Sequence, residues 1–176
     1  VEEEETDKFR VDKERSMTDR PSWDDYFLRI AELVSSRATC PRASVGVVIV
    51  RDNHILSTGY NGAASGEDHC IDVGCDITET GHCERAIHAE ANAVGQAARY
   101  GINVQGAKLY EYDSRNRGRT CNACAQVVSA AGIKEVVFKE QDDPGLRVIS
   151  YRPHDIISGG VPQSDREPTD TSQPTE

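Results

Sequence analysis

The stretch "VGVVIVRDNHILSTGY", residues 45–60, sets the tightest limit on the fold. Two apolar runs rich in β-branched residues flank the short polar turn "RDNH", a pattern that predicts a hairpin of two strands. Upstream, "SWDDYFLRIAELVSS" places Trp23, Tyr26, Phe27, Ile30, Leu33 and Val34 close to helical spacing. Ser22 stands where an N-cap accepts a free backbone N–H, and acids follow in the first turn. Downstream, "HAEANAVGQAARYG" and "CNACAQVVSAAG" read as helices closed by glycine, with "GAKLYEY" and "IKEVVFKE" as strands. "GLRVISY" suits a last strand or a turn of helix. Strands alternating with helices after an initial hairpin predict an α/β layered domain built on a mixed sheet.

Both ends depart from this pattern. The N-terminal "VEEEETDKFRVDKERSM" is acidic and then mixed in charge, and the C-terminal "SGGVPQSDREPTDTSQPTE" is rich in Pro, Ser, Thr and acid. Neither buries enough apolar surface to offset the entropy of ordering. The expected organisation is a mobile charged tail over residues 1–20, one folded domain over 21–155 and a disordered tail over 156–176. The formal charge of −10 argues against nonspecific binding to nucleic acid. No run of about 18 apolar residues predicts a membrane span. The N-terminus shows no apolar signal core, so the expected compartment is the cytoplasm. There the six cysteines serve as thiols or metal ligands rather than as disulfides.

Chemistry concentrates in two short pieces, "HAE" at residues 88–90 and "CNAC" at residues 121–124, each at the predicted start of a helix. Cysteines at i and i+3 share a helix face, so the sulfurs of Cys121 and Cys124 can reach one ion. A helix N-terminus favours thiolate over thiol through its dipole and its free N–H groups. His88 adds a third ligand and leaves a fourth tetrahedral position for water, the arrangement of a catalytic zinc. Glu90, two residues on, is placed to exchange protons with that water without binding the metal. Either piece alone has a plainer reading, as a structural or redox cysteine pair or as a helix surface. The two together, with a strand between them, favour the catalytic one.

Beyond these residues, "SWDDYFLRIAELVSSRATCPRASVGVVIV…ILSTGYNGAASG…HC…GHC…HAEANAV" resembles the deoxycytidylate (dCMP) deaminase family, over residues 22–140. "TCPR" before the first strand and "GYNG" after the second distinguish it from generic cytidine deaminases. The pairing of H-x-E with a later C-x-x-C is itself the signature of zinc deaminases. The resemblance implies a cytidine deaminase-like three-layer α/β/α sandwich with a central mixed sheet. It implies hydrolysis of dCMP to dUMP and ammonia, in which metal-activated water attacks C4 and Glu90 carries protons to N3 and the leaving amine. It further implies a homo-oligomer, often a hexamer, regulated by dCTP and dTTP. By analogy Asn61 bonds the sugar and the Ala89 backbone contacts the base, while Tyr112, Val45 and Ile87 are candidate pocket residues. Two other readings stay open: a related deaminase acting on a modified cytosine nucleotide, a nucleoside or a nucleic-acid base, and an inactive zinc-stabilised binding protein. Glu90 speaks against the latter, because a structural ion has no use for a proton carrier beside an open position.

Cys40, Cys70, Cys75 and Cys83 remain, with His69 and His82 beside them in a poorly periodic region. A closed structural zinc, disulfides and unligated buried thiols are the competing readings. Some members of the resembling family carry a second zinc in this region. The expected ligands are Cys40, Cys70, Cys75 and Cys83, with His82 as the substitute.

The resemblance weakens between residues 111 and 120. "LYEYDSRNRGRTC" is longer than the family's passage from its "LYVT" strand to "SPC", and Thr120 stands in place of proline. Proline would preset the helix start, whereas threonine offers itself as an N-cap. Arg115, Arg117 and Arg119 crowd this insertion. They read either as a solvated loop paired with acids or as guanidinium groups that contact the substrate phosphate or an altered base.

Overall fold

Val45–Arg51 (β1) and His54–Tyr60 (β2) form the expected antiparallel hairpin in the computed structural model, which describes residues 20–115, 120–139 and 148–158. Asp52 and Asn53 make its tight turn with φ of 52° and 60°. Asn and Asp tolerate this left-handed region better than bulkier residues, and paired positive φ matches the twist of the strands. The expected tails lie outside the described residues, except for Arg20 and positions 156–158.

Lys108–Asp113 (β3), Glu135–Lys139 (β4) and Val148–Tyr151 (β5) complete a mixed sheet of order β2-β1-β3-β4-β5. Only the β3–β4 pair is parallel among these. That pairing requires a crossover, and Asn122–Ala130 (α4) supplies it. Helix Trp23–Ser35 (α1) covers one face: Phe27, Leu28 and Ala31 pack against Val48, Val50, Tyr110 and Val137. Ser22 caps α1 as expected, accepting from Asp25 N at 3.1 Å. Helices Ala89–Arg99 (α3), α4 and Pro153–Ser158 (α5) cover the other face. There Ala93, Ala97, Ala125, Val128 and Ile156 meet Val47, Ile49, Leu109, Val136 and Phe138. The arrangement is the α/β/α sandwich that the sequence implied. Burying a side chain such as Leu109 or Phe27 contributes roughly 2–3 kcal/mol.

Two glycines let helices sit close to the sheet. A Cβ at Gly46 would stand 2.0 Å from Ala31 O of α1, and one at Gly59 would stand 2.4 Å from Ala89 O of α3. The second contact matters for function, because it seats the first turn of α3 directly on β2. The "GLRVISY" segment resolves into β5, followed by α5 with Pro153 at its first position. Ile156 of α5 is 4% exposed, so packed residues continue past position 155, where the sequence reading ended the domain.

Candidate active site

The N-termini of α3 and α4 converge on one point. His88 is the N-cap residue of α3 and Cys121 that of α4, both in extended backbone conformation. His88 makes no capping bond with its side chain, and its Nδ1 instead lies 3.5 Å from Cys121 Sγ and 3.4 Å from Cys124 Sγ. Zinc held tetrahedrally at about 2.3 Å from sulfur and about 2.0 Å from nitrogen separates those atoms by roughly 3.5 Å. The donor set and its spacing therefore fit zinc. Cys121 caps α4 through its sulfur, which accepts from Cys124 N. Thr120 does not take the N-cap role expected of it; its hydroxyl turns inward to Glu111 instead.

The three donors shift one another's protonation. Cys121 is pushed down to about 3, first by its contact with Cys124 and then by His88. Cys124 moves in the opposite direction, because Cys121 beside it and burial both disfavour a second thiolate. His88 is raised, chiefly by Cys121 and against the effect of burial. Glu90 is 4% exposed, and burial raises its carboxyl above the ordinary range.

His88, Glu90 and Cys121 line a cavity of about 750 Å³. Asn61, Ala89 and Arg115 line it as well, as does Val45, whereas Tyr112 does not. Side chains alternate along β3, so Tyr112 packs, like Ile30 and Val34, against the buried cluster on the α1 face. Glu111 and Asp113 take the cavity side. Asn61 is committed to the backbone: its Oδ1 accepts from Val45 N at 2.8 Å, and its Nδ2 donates to Ala43 O at 2.9 Å. Arg115 pairs with Asp113 through two bonds of 3.0 and 2.8 Å. It is thus paired with an acid, as one of the two readings had it, and it also lines the cavity. Arg117 and Arg119 lie outside the described residues.

Arg42, Glu111, Asp113 and Thr120 are lining residues to which the sequence reading gave no site role. Parity along β3 was the available signal for Glu111. Leu109 and Glu111 share a face, and a charged residue on the inward face of a central strand is unusual.

A second cluster joins Cys70, Cys75 and Cys83, whose sulfurs lie within 4.8 Å of one another. Cys70 and Cys83 are 3.7 Å apart, matching the roughly 3.8 Å between two sulfurs on tetrahedral zinc. Cys70 opens the one-turn helix Cys70–Val73 (α2), and an isolated bridge pairs Cys83 with Ile77. Burial, then Cys83 and Cys75, push the Cys70 thiol up to about 12. Cys83 is lowered: burial opposes this, but backbone N–H groups of Ala86, Arg85 and Asp76 outweigh it. Three of the four expected ligands, Cys70, Cys75 and Cys83, form this cluster. Cys40 falls outside the cluster and lines the large cavity, although its charge is felt at Cys75. His82 also faces that cavity, its ring 6.4 Å from that of His88.

A mixed sheet with helices on both faces, two helix N-termini bearing one imidazole and two thiols, and a buried carboxyl beside them define a cytidine-deaminase-like α/β/α protein. Residues 21–140 match the model of the cytidine and deoxycytidylate deaminase zinc-binding region, and the chain belongs to that family. It is 41% identical over 122 residues to ComE operon protein 2 of Bacillus subtilis, covering 69% of this chain and 61% of that protein. It is 36% identical over 152 residues to the deoxycytidylate deaminase of Saccharomyces cerevisiae, covering 81% of this chain and 47% of that protein. The chain thus spans about half to three-fifths of these two relatives. The crystal structure of dCMP deaminase from cyanophage S-TIM5 in complex with dCMP and dUMP superposes with a TM-score of 0.59 at 26% identity, covering 81% of this chain and 95% of that one.

Proposed function

We propose that this chain is a zinc-dependent hydrolytic deaminase that converts dCMP to dUMP and ammonia. The observation that carries the reading is Glu90: a buried carboxyl two residues from His88, lining the same cavity as His88 and Cys121 of the His88–Cys121–Cys124 triad. When bound to His88 Nδ1 and the two sulfurs, zinc supplies a Lewis acid that makes water nucleophilic at neutral pH. Glu90 accepts one proton of that water and delivers it to N3 of the base, then takes the second proton from the oxygen now bonded to C4 and passes it to the departing amine. Ala89 and Asn61 line the same cavity, which supports the reading that the Ala89 backbone contacts the base and that Asn61, which also holds Val45 N at the start of β1, lies near the sugar. Arg42 and Arg115 bring two guanidinium groups to the cavity wall, a match for the phosphate of a nucleotide. The Arg42 guanidinium is oriented by donating to Gly81 O at 3.2 Å.

Ammonia release from a panel of dCMP, CMP, deoxycytidine, methylated and hydroxymethylated dCMP, and short single-stranded DNA tests the substrate. Turnover of dCMP above the others is expected, and preference for another member would reassign the substrate within the same reaction. Glu90→Gln should lower kcat about 10²–10⁴-fold with zinc content unchanged. An unchanged kcat would remove Glu90 from the mechanism.

We also infer a cytoplasmic homo-oligomer, a hexamer by family resemblance, that responds to dCTP and dTTP. Trp23, Tyr26 and Leu33 of α1 are 47%, 44% and 51% exposed, an apolar surface that a second subunit could cover. No helix among the described residues is long and apolar enough to cross a membrane. Light scattering and kinetics with and without each triphosphate test the assembly and its control.

A further inference from the structure

Glu111 and Thr120 take no part in the proposed reaction, yet they are deeply buried polar residues in the cavity wall. Glu111 is 4% exposed and Thr120 1%. The Thr120 hydroxyl donates a hydrogen bond to Glu111 Oε2. Burying a carboxyl costs free energy that an apolar side chain of similar size would not. Burial and the nearby Glu90 both raise Glu111 well above the ordinary carboxylate range.

The two partners differ in how they are held. Glu111 sits on a central strand, opposite Val47 of β1 and Phe138 of β4, so its backbone is fixed from both sides. Thr120 directly precedes Cys121, the N-cap of α4. A proline there would fix φ through its ring. Threonine has no such lock, and a buried side-chain hydrogen bond to an immobile strand can supply the restraint instead. At its other end the β3–α4 connection is fastened through Ser114, whose Oγ accepts from Ser44 N at 2.9 Å and whose N–H donates to Ser44 O at 3.0 Å.

We propose that Glu111 is a positioning residue for the metal centre: acting through the Thr120 hydroxyl, it fixes where the chain enters α4 and so where the Cys121 and Cys124 sulfurs stand relative to His88. The proposal rests on the reading of those three residues as metal ligands.

Zinc release from the full-length protein to a competing chelator tests it. The ion at this centre is identified as the release phase missing in His88→Ala. Thr120→Val and Glu111→Leu should each weaken zinc retention in that phase about tenfold, the lower range for residues that orient metal ligands. The double variant should be no worse than the poorer single one, because both remove the same bond. Thr120→Ser and Glu111→Gln keep a donor and an acceptor, and should stay within about twofold of wild type. The phase belonging to the other cysteine cluster should not change.

Wild-type zinc retention in Thr120→Val overturns the proposal. Equal damage from Thr120→Ser and Thr120→Val also overturns it, since volume rather than the hydrogen bond would then be at work. That pair decides the matter even where the valine variant folds poorly. A raised KM for dCMP in Glu111→Gln with zinc retention intact would make Glu111 a substrate contact and overturn the positioning role. If His88→Ala and wild type release equal zinc, the ligand assignment itself fails, an outcome separate from the others.

Discussion

His88 and Cys121 lie 33 residues apart in the chain, yet His88 Nδ1 stands 3.5 Å from Cys121 Sγ because each occupies the N-cap position of its own helix. The metal centre is therefore a junction between two helices, and its geometry depends on how each is seated on the sheet.

Gly59→Ala tests the seating of α3. The added methyl would meet Ala89 O at 2.4 Å and Ala93 N at 2.5 Å, both backbone atoms. Overpacking of this kind costs about 1–3 kcal/mol. Thermal denaturation should show a lower Tm, and zinc retention should fall because Ala89 adjoins the ligand His88. An unchanged Tm and zinc content would show that α3 is not held by this contact.

The second cysteine cluster predicts a metal stoichiometry. Purified protein should carry two zinc ions per chain, and Cys83→Ser should reduce this to one. It should also lower Tm by roughly 5 °C or more, because metal affinity at a structural site is folding free energy. One zinc in the native protein would eliminate the second site.

Arg115→Ala separates phosphate recognition from loop structure. kcat/KM on dCMP should fall about tenfold, in keeping with the loss of one charge-assisted hydrogen bond. Activity on deoxycytidine should be unchanged. Equal losses on both substrates would assign Arg115 to holding the loop through Asp113.

Tyr110→Phe concerns stability alone. The phenol donates to Asp24 Oδ1 at 2.7 Å and ties α1 to the central strand. Its loss should cost about 1 kcal/mol in denaturant unfolding and leave kcat and KM unchanged. A drop in kcat would mean that α1 is coupled to the site in a way the packing does not suggest.

The helices and the hairpin were legible because their ends carry local chemistry. Ser22 caps α1, Gly101 and Gly132 take positive φ just beyond α3 and α4, and Asp52–Asn53 supplies the turn. His88, Glu90, Cys121 and Cys124 were legible because their spacing is meaningful only around a common ion. Tyr112 was misplaced because strand periodicity is two, and an offset of one residue exchanges the faces. Parity along β3 points to Glu111 instead. The position of Cys40 depended on how two irregular segments lie against each other, which no local pattern specifies. α5 had a local sign in Pro153, since proline suits a first helical position.

The connection between β3 and α4 is pinned at both ends, to Ser44 through Ser114 and to Glu111 through Thr120. In sequence, positions 116–119 run between these two anchors. With both flanks fastened, the sequence between them can be rewritten or lengthened while Cys121 and Cys124 stay in register. That stretch of sequence can therefore diverge between relatives, and be redesigned in the laboratory, independently of the metal ligands. An exchange of these four residues for those of another family member is the natural unit of substrate engineering in this chain.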